Sequence, residues 1–118
     1  MLAFHEVIDA HELLVTMPPM VGEDLGVTHV GADCVELGPV GVDKGSGLIW
    51  LCEHLGIDAA DVVAFGDEYN DHEMLRWAGL GVAMGNASPV TQSFADEVTL
   101  TNAEDGVAVV LERLLRRT

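Results

Sequence analysis

From Val42 onward the apolar positions switch between two periods. Leu48, Leu51, Cys52 and Leu55 recur at i, i+3, i+4 and i+7, the spacing of one helical face, and Gly56 follows as a stop signal. Asp61 to Phe65 is a short apolar run closed by Gly66, which suits a buried parallel strand. A helix is expected from Asn70 to about Ala78, with Met74, Leu75 and Ala78 inward and Gly79 closing it. Leu80 to Met84 reads as the next strand. Ser88-Pro89 opens a helix, because proline suits the first helical position. Glu97 to Leu100 reads as a third strand, and Thr101 with Glu104 as a capping box. Val107, Val110, Leu111 and Leu114 form the apolar face of a last helix, whose negative end suits Arg113, Arg116 and Arg117. Alternating strands and helices on short links imply a parallel α/β sheet with right-handed crossovers.

The first part of the chain is less periodic. Leu2-Ala3-Phe4 and Val7-Ile8 are short apolar pieces, and Asp9 to about Met17 reads as a short helix that Pro18-Pro19 should end. Val27 to Val30 and Cys34 to Leu37 read as strands around a turn at Gly31-Ala32-Asp33.

Charge narrows the function classes. The 118 residues carry 5 Lys+Arg against 20 Asp+Glu, a formal net charge of −15. That balance excludes a phosphate-backbone or anionic-membrane partner, so no nucleic acid and no membrane is expected. A mean hydropathy of +0.30 argues against disorder. Cys34 and Cys52 form no CxxC, no signal peptide or apolar span stands out, and a reducing, cytoplasmic setting is the expectation.

Candidate chemistry gathers where strands should end, the place open α/β sheets bind ligands. Gly66-Asp67-Glu68-Tyr69-Asn70-Asp71 puts two carboxylates and an amide after one strand. Hard oxygen donors of that kind suit Mg²⁺, although Asn70 or Asp71 capping the helix accounts for them equally well. Lys44, the sole lysine, lies among Gly41, Gly45 and Gly47 before a helix. There it would neutralise a phosphate and hold an attacking carboxylate ionised; a solvated surface lysine is the plainer reading. Asn86, after Val82-Ala83-Met84-Gly85, either orients the metal loop or makes an Asx turn, the turn being slightly favoured. None of the five histidines has ligand spacing, and surface positions are expected for them.

Gly-Val-Asp-Lys-Gly at 41–45, Gly-Asp-Glu-Tyr-Asn-Asp at 66–71, Val-Ala-Met-Gly-Asn-Ala at 82–87 and Glu-Asp-Gly-Val-Ala at 104–108 occur in an order and spacing that is specific as a set. Together they resemble the Cof-type branch of the haloacid-dehalogenase phosphatases, from about Glu36 to Leu115. The resemblance implies a Rossmann-like parallel sheet with flanking helices in residues 39–118, the C-terminal part of the catalytic core. Residues 1–38 would then be the remnant of a cap domain, the part that selects the substrate. It implies Mg²⁺ as cofactor and a small phosphorylated metabolite, often a sugar phosphate, as substrate. In that family an aspartate attacks phosphorus and forms an aspartyl-phosphate, and a second aspartate two residues later acts as acid and base. Lys44 matches the lysine that bridges nucleophile and phosphate, Asp67 a metal ligand, Asn70 a phosphoryl contact, and Asp71 the acid behind the metal.

The family's Asp-x-Asp motif begins at none of the aspartates; Val7-Ile8-Asp9 comes nearest, and Ala10-His11 follows it. The expectation is a fragment that by itself is nearly inactive, with an exposed sheet edge open to self-association. A silent metal-binding or assembly module is the alternative. A receiver-like regulatory domain fits poorly, because the lysine precedes Asp67.

Overall fold

The computed structural model describes residues 1–3, 5–29 and 34–117. Its elements are β1 (Leu2–Ala3), α1 (Ala10–Thr16), α2 (Pro18–Val21), β2 (Leu25–His29), β3 (Val35–Pro39), α3 (Lys44–Leu55), β4 (Val63–Gly66), α4 (His72–Trp77), β5 (Leu80–Ala83), α5 (Pro89–Gln92), β6 (Glu97–Val98) and α6 (Gly106–Leu115). Single 3-10 turns cover Ala59–Asp61, Tyr69–Asp71 and Asn102–Glu104.

The strands form two sheets. The N-terminal one is antiparallel in the order β1-β3-β2, and the C-terminal one is parallel in the order β4-β5-β6. In the first, Val35 and Leu37 point to one face and are buried, and Val35 packs with Ala10 and Leu13 of α1. Glu36 and Gly38 therefore point to the other face. Asp9 caps α1 by accepting the Glu12 N–H at 2.8 Å. Pro18-Pro19 does more than end that helix. The prolines occupy the first positions of α2, where no N–H is required, so the pair breaks one helix and starts another. The strand expected at 27–30 lies at Leu25–His29, and the one expected at 34–37 lies at Val35–Pro39. Val30 and the turn expected at Gly31-Ala32-Asp33 fall outside the described residues.

In the parallel sheet, α4 lies so close to β5 that a Cβ on Gly81 would meet the Leu75 carbonyl oxygen at 2.0 Å. Leu75 and Val82 are fully buried at that contact. α3 starts with an Asp43–Ser46 capping box and ends at Gly56, whose φ of 68° is left-handed, a conformation glycine adopts without penalty. Its expected stripe is only half covered: Cys52 is buried, while Leu51 and Leu55 are 45% and 59% exposed. The same correction applies to α6, where Val110 is buried but Val107 and Leu111 are open. Periodicity reports the side of a helix that is apolar, not what lies against it. Among the described residues β4 is an edge strand with one unpaired side, and no helix is long and apolar enough to cross a membrane.

Candidate active site

β4 ends at Gly66, and the chain turns through Asp67 and Glu68 into the 3-10 turn Tyr69–Asp71. The turn folds back so tightly that a Cβ on Gly66 would meet the Asp71 Cβ at 2.4 Å. Asp71 is 2% exposed and is the organising group of the loop. Its Oδ2 accepts the N–H groups of Asp67 at 2.9 Å and Glu68 at 3.0 Å. Its Oδ1 accepts from Lys44 Nζ at 2.5 Å. Burial pushes the carboxyl pKa up, but the Lys44 ammonium and the Glu68 and Asp67 N–H groups outweigh it, and the pKa lies below its ordinary value of 3.8. Asp71 is thus no simple cap of α4: its side chain bonds backward to the loop and makes no capping bond to that helix.

Lys44 opens α3, and its side chain is 51% exposed. The start of α3 reaches the loop because Gly45 permits it; a Cβ there would meet the Glu73 Cβ at 2.7 Å. Asp67 is partly exposed, and its Oδ2 accepts from Asn86 Nδ2 at 3.0 Å. Asn86 Oδ1 in turn accepts the Asn102 N–H at 2.9 Å. Asn86 therefore ties together the loops after β4, β5 and β6, where the local reading favoured an Asx turn. Asn102 went unnoticed in the sequence; nothing about one asparagine after a capping threonine marks it.

Lys44 and Asn70 line a cavity of about 530 Å³ that also reaches the Glu36 face of the antiparallel sheet. The Asn70 carboxamide oxygen is buried and has no hydrogen-bond partner. An unpaired buried acceptor costs about 1–3 kcal/mol unless something brings it a donor. A second cavity of about 590 Å³ lies among Leu2, His5, Val7, Asp9 and Cys34. Two of its polar groups are already committed to turns: the His5 ring accepts the Val7 and Ile8 N–H groups, and Asp9 caps α1.

The histidines need one correction. His72 is 7% exposed, not a surface residue. Its Nε2 lies 2.9 Å from the Thr91 hydroxyl, and its ring stacks on Phe94 at 4.0 Å. Burial lowers its pKa, and Arg76 works the same way against the opposing charges of Asp71 and Glu73. His72 is thus core, committed to packing and to one hydroxyl.

For a metal, the donor set is small. Among the described residues no three His, Cys, Asp or Glu gather as a cage. Both Asp71 oxygens are engaged, whereas Asp67 uses one oxygen on Asn86. A cation that takes one or two carboxylates and fills its remaining positions with water and phosphate, as Mg²⁺ does, fits this set; a many-coordinate Ca²⁺ cage does not.

Comparison with known proteins gives the family. The family described as haloacid dehalogenase-like hydrolase matches residues 1–111. The Bacillus subtilis 5-amino-6-(5-phospho-D-ribitylamino)uracil phosphatase YcsE is 42% identical over 86 residues, 73% of this chain and 34% of that protein. A solved haloacid dehalogenase-like hydrolase from B. subtilis superposes with a TM-score of 0.83 at 38% identity, covering 96% of this chain and 39% of that one. A solved subclass IIB sugar phosphatase superposes with a TM-score of 0.73 at 30% identity, covering 88% and 38%. The chain thus spans between a third and two fifths of the length of these relatives.

Proposed function

The chain belongs to the haloacid dehalogenase-like hydrolases, in their Cof-type, subclass IIB branch, and from that premise we propose that it supplies the cationic and metal-holding half of a Mg²⁺-dependent phosphomonoesterase. The observation that carries this reading is the convergence of Lys44 on Asp71, whose other oxygen holds the backbone of Asp67. Asp67 offers Mg²⁺ a carboxylate oxygen, and Asn86 keeps that carboxylate from rotating. Asp71 acts behind the metal, fixing the loop and the ammonium. Lys44 balances charge on the phosphoryl oxygens, and the Asn70 amide contacts them. Bound Mg²⁺ draws charge from the phosphoryl group and so eases attack by an anionic nucleophile. Substrates are small phosphorylated metabolites, sugar phosphates among them. Residues 1–38 act as part of a cap over residues 39–118, in a cytoplasmic protein.

The 118 residues contain no Asp-x-Asp. The attacking carboxylate and its acid/base partner must come from polypeptide other than these residues, and the chain by itself turns over slowly at most. The unpaired side of β4 favours a second reading, a silent metal-binding or assembly module that self-associates along that edge. Both are tested on the chain as it stands. Inorganic phosphate with Mg²⁺ should raise its unfolding midpoint, and Lys44→Met should abolish the rise. An unchanged midpoint refutes the phosphate site. Hydrolysis of p-nitrophenyl phosphate at ~1 s⁻¹ or faster refutes the claim that the chain lacks a nucleophile. Sedimentation separates a monomer from an edge-paired dimer.

A further inference from the structure

The segments that follow β4 and β5 are joined on two levels. The last backbone bond between the strands runs from the Met84 N–H to the Gly66 carbonyl at 2.9 Å. Beyond it, two side-chain bonds link the segments. At the exposed end Asn86 Nδ2 donates to Asp67 Oδ2 at 3.0 Å, and in the interior His72 Nε2 lies 2.9 Å from Thr91 Oγ1. Each bond joins residues 19 apart, so the two are successive rungs between the same stretches of chain.

The inner rung is anchored on both sides. The His72 ring stacks on Phe94 with centroids 4.0 Å apart and meets the Tyr69 ring at 4.9 Å. Thr91 belongs to α5, a four-residue helix too short to hold itself in place. Ser88 Oγ accepts the Thr91 N–H and donates to the Thr91 hydroxyl, both at 3.2 Å. Gln92 Nε2 donates to the Ala87 carbonyl at 3.0 Å. Residues 86–92 are thereby one small unit, and fixing Thr91 fixes Asn86. An apolar pair would seal the same contact, because replacing both partners of a buried hydrogen bond by apolar groups of the same shape is nearly neutral. What the polar pair adds is register. A 2.9 Å bond is lost when α5 slides along α4, whereas apolar contact tolerates the slide. His72 is 7% and Thr91 3% exposed, so water does not compete for the inner rung as it does for the outer one.

We infer that His72 and Thr91 are positioning residues: their bond holds the segment after β5 where Asn86 meets both Asp67 and Asn102, and so keeps the Asp67 carboxylate aimed. The effect on Mg²⁺ rests on the reading of Asp67 as the metal ligand; the placement of Asn86 stands apart from it.

The test uses the whole chain in three variants. Thr91→Val keeps the size and removes the hydroxyl, and Thr91→Ser keeps the hydroxyl. The double variant His72→Phe with Thr91→Val keeps the ring stack and leaves neither partner as an unpaired polar group. Urea midpoints in EDTA give stability. Hydrogen exchange of the Asn102 N–H, which Asn86 Oδ1 holds, reports the outer rung without metal, read as a ratio to the Met84 N–H in the sheet. Calorimetry with MgCl₂ reports the metal site. The double variant should match the native urea midpoint, yet show Asn102 exchange about three- to tenfold faster and Mg²⁺ binding about three- to tenfold weaker, the size of effect one hydrogen bond gives. Thr91→Ser should keep both within about twofold of the native chain. Thr91→Val carries the same exchange ratio and remains informative if the double variant misfolds. An Asn102 ratio that neither valine variant moves overturns the inference, whether or not Mg²⁺ binds. Faster exchange with undiminished Mg²⁺ affinity overturns the link to the metal. A native chain that binds no Mg²⁺ overturns the metal reading of Asp67 instead, while faster Asn102 exchange still bears out the placement of Asn86.

Discussion

Replacing Asp71 by Asn removes one charge and almost no volume from a buried carboxylate that accepts three hydrogen bonds. In the native protein the carboxylate accepts two backbone N–H groups and the Lys44 ammonium. A hydrogen bond to a charged group contributes about 1.5–3 kcal/mol, against about 0.5–1.5 for a neutral one, so the two N–H bonds together lose about 2 kcal/mol. The lysine side chain is 51% exposed, and solvent screening limits that pair to about 0–1 kcal/mol. With its oxygen kept on the N–H groups, the new amide turns its own NH₂ toward Lys44, donor against donor. The expected loss is about 2–3 kcal/mol in urea denaturation at neutral pH, or roughly 6–15 °C in the unfolding midpoint. The pH dependence is the sharper readout. Asp71 has a folded pKa below its ordinary 3.8, so in that range the unfolded chain binds more protons than the folded one. Its contribution is complete above 3.8 and drains away as pH falls through the lower folded value. The stability gap between the native protein and Asp71→Asn should therefore narrow as pH falls from about 6 to about 3. A gap that stays constant with pH, or one below about 0.5 kcal/mol at neutral pH, would refute the account of Asp71 as a charged keystone.

Four further outcomes follow from the packing and the loop. Gly47→Ala, on α3 with nothing within 4 Å of the new Cβ, should stabilise by about 0.5–1 kcal/mol. Gly81→Ala, whose Cβ would sit 2.0 Å from the Leu75 carbonyl oxygen, should destabilise by about 3 kcal/mol or more; both are read from urea midpoints. Leu75→Ala, at a fully buried position, should cost about 2–5 kcal/mol, and a smaller loss would mean that α4 does not seal against the sheet. Asn86→Ala frees the Asp67 carboxylate and should weaken Mg²⁺ binding about tenfold by calorimetry, with unchanged affinity showing that the Asn86 bond does not orient the ligand.

The sequence's reach differed along the chain. Strands at Val63–Gly66 and Leu80–Ala83 and helices at Lys44–Leu55 and His72–Trp77 were legible because an apolar run or stripe and a closing glycine agreed at each. The N-terminal strands slipped by one or two residues, since Gly26 and Gly38 interrupt the alternation that sets a strand's limits. Pro18-Pro19 carried two meanings, stop and start, and only the backbone chose between them. His72 was misplaced because exposure is not a property of a residue's neighbours in sequence; the Phe94 and Thr91 that bury it lie about twenty residues further along.

Alone, then, the sequence determined the alternation of elements, the acidic balance and Lys44, Asp67, Asn70 and Asp71 as candidates, because each depends on local spacing and residue type. Tertiary structure decided that Lys44 grips Asp71, that Asn86 reaches Asp67 and Asn102, and that Glu36 shares a cavity with the loop. Those contacts join residues far apart in the chain. Their geometry comes from crossover helices and sheet pairing, which no local pattern encodes.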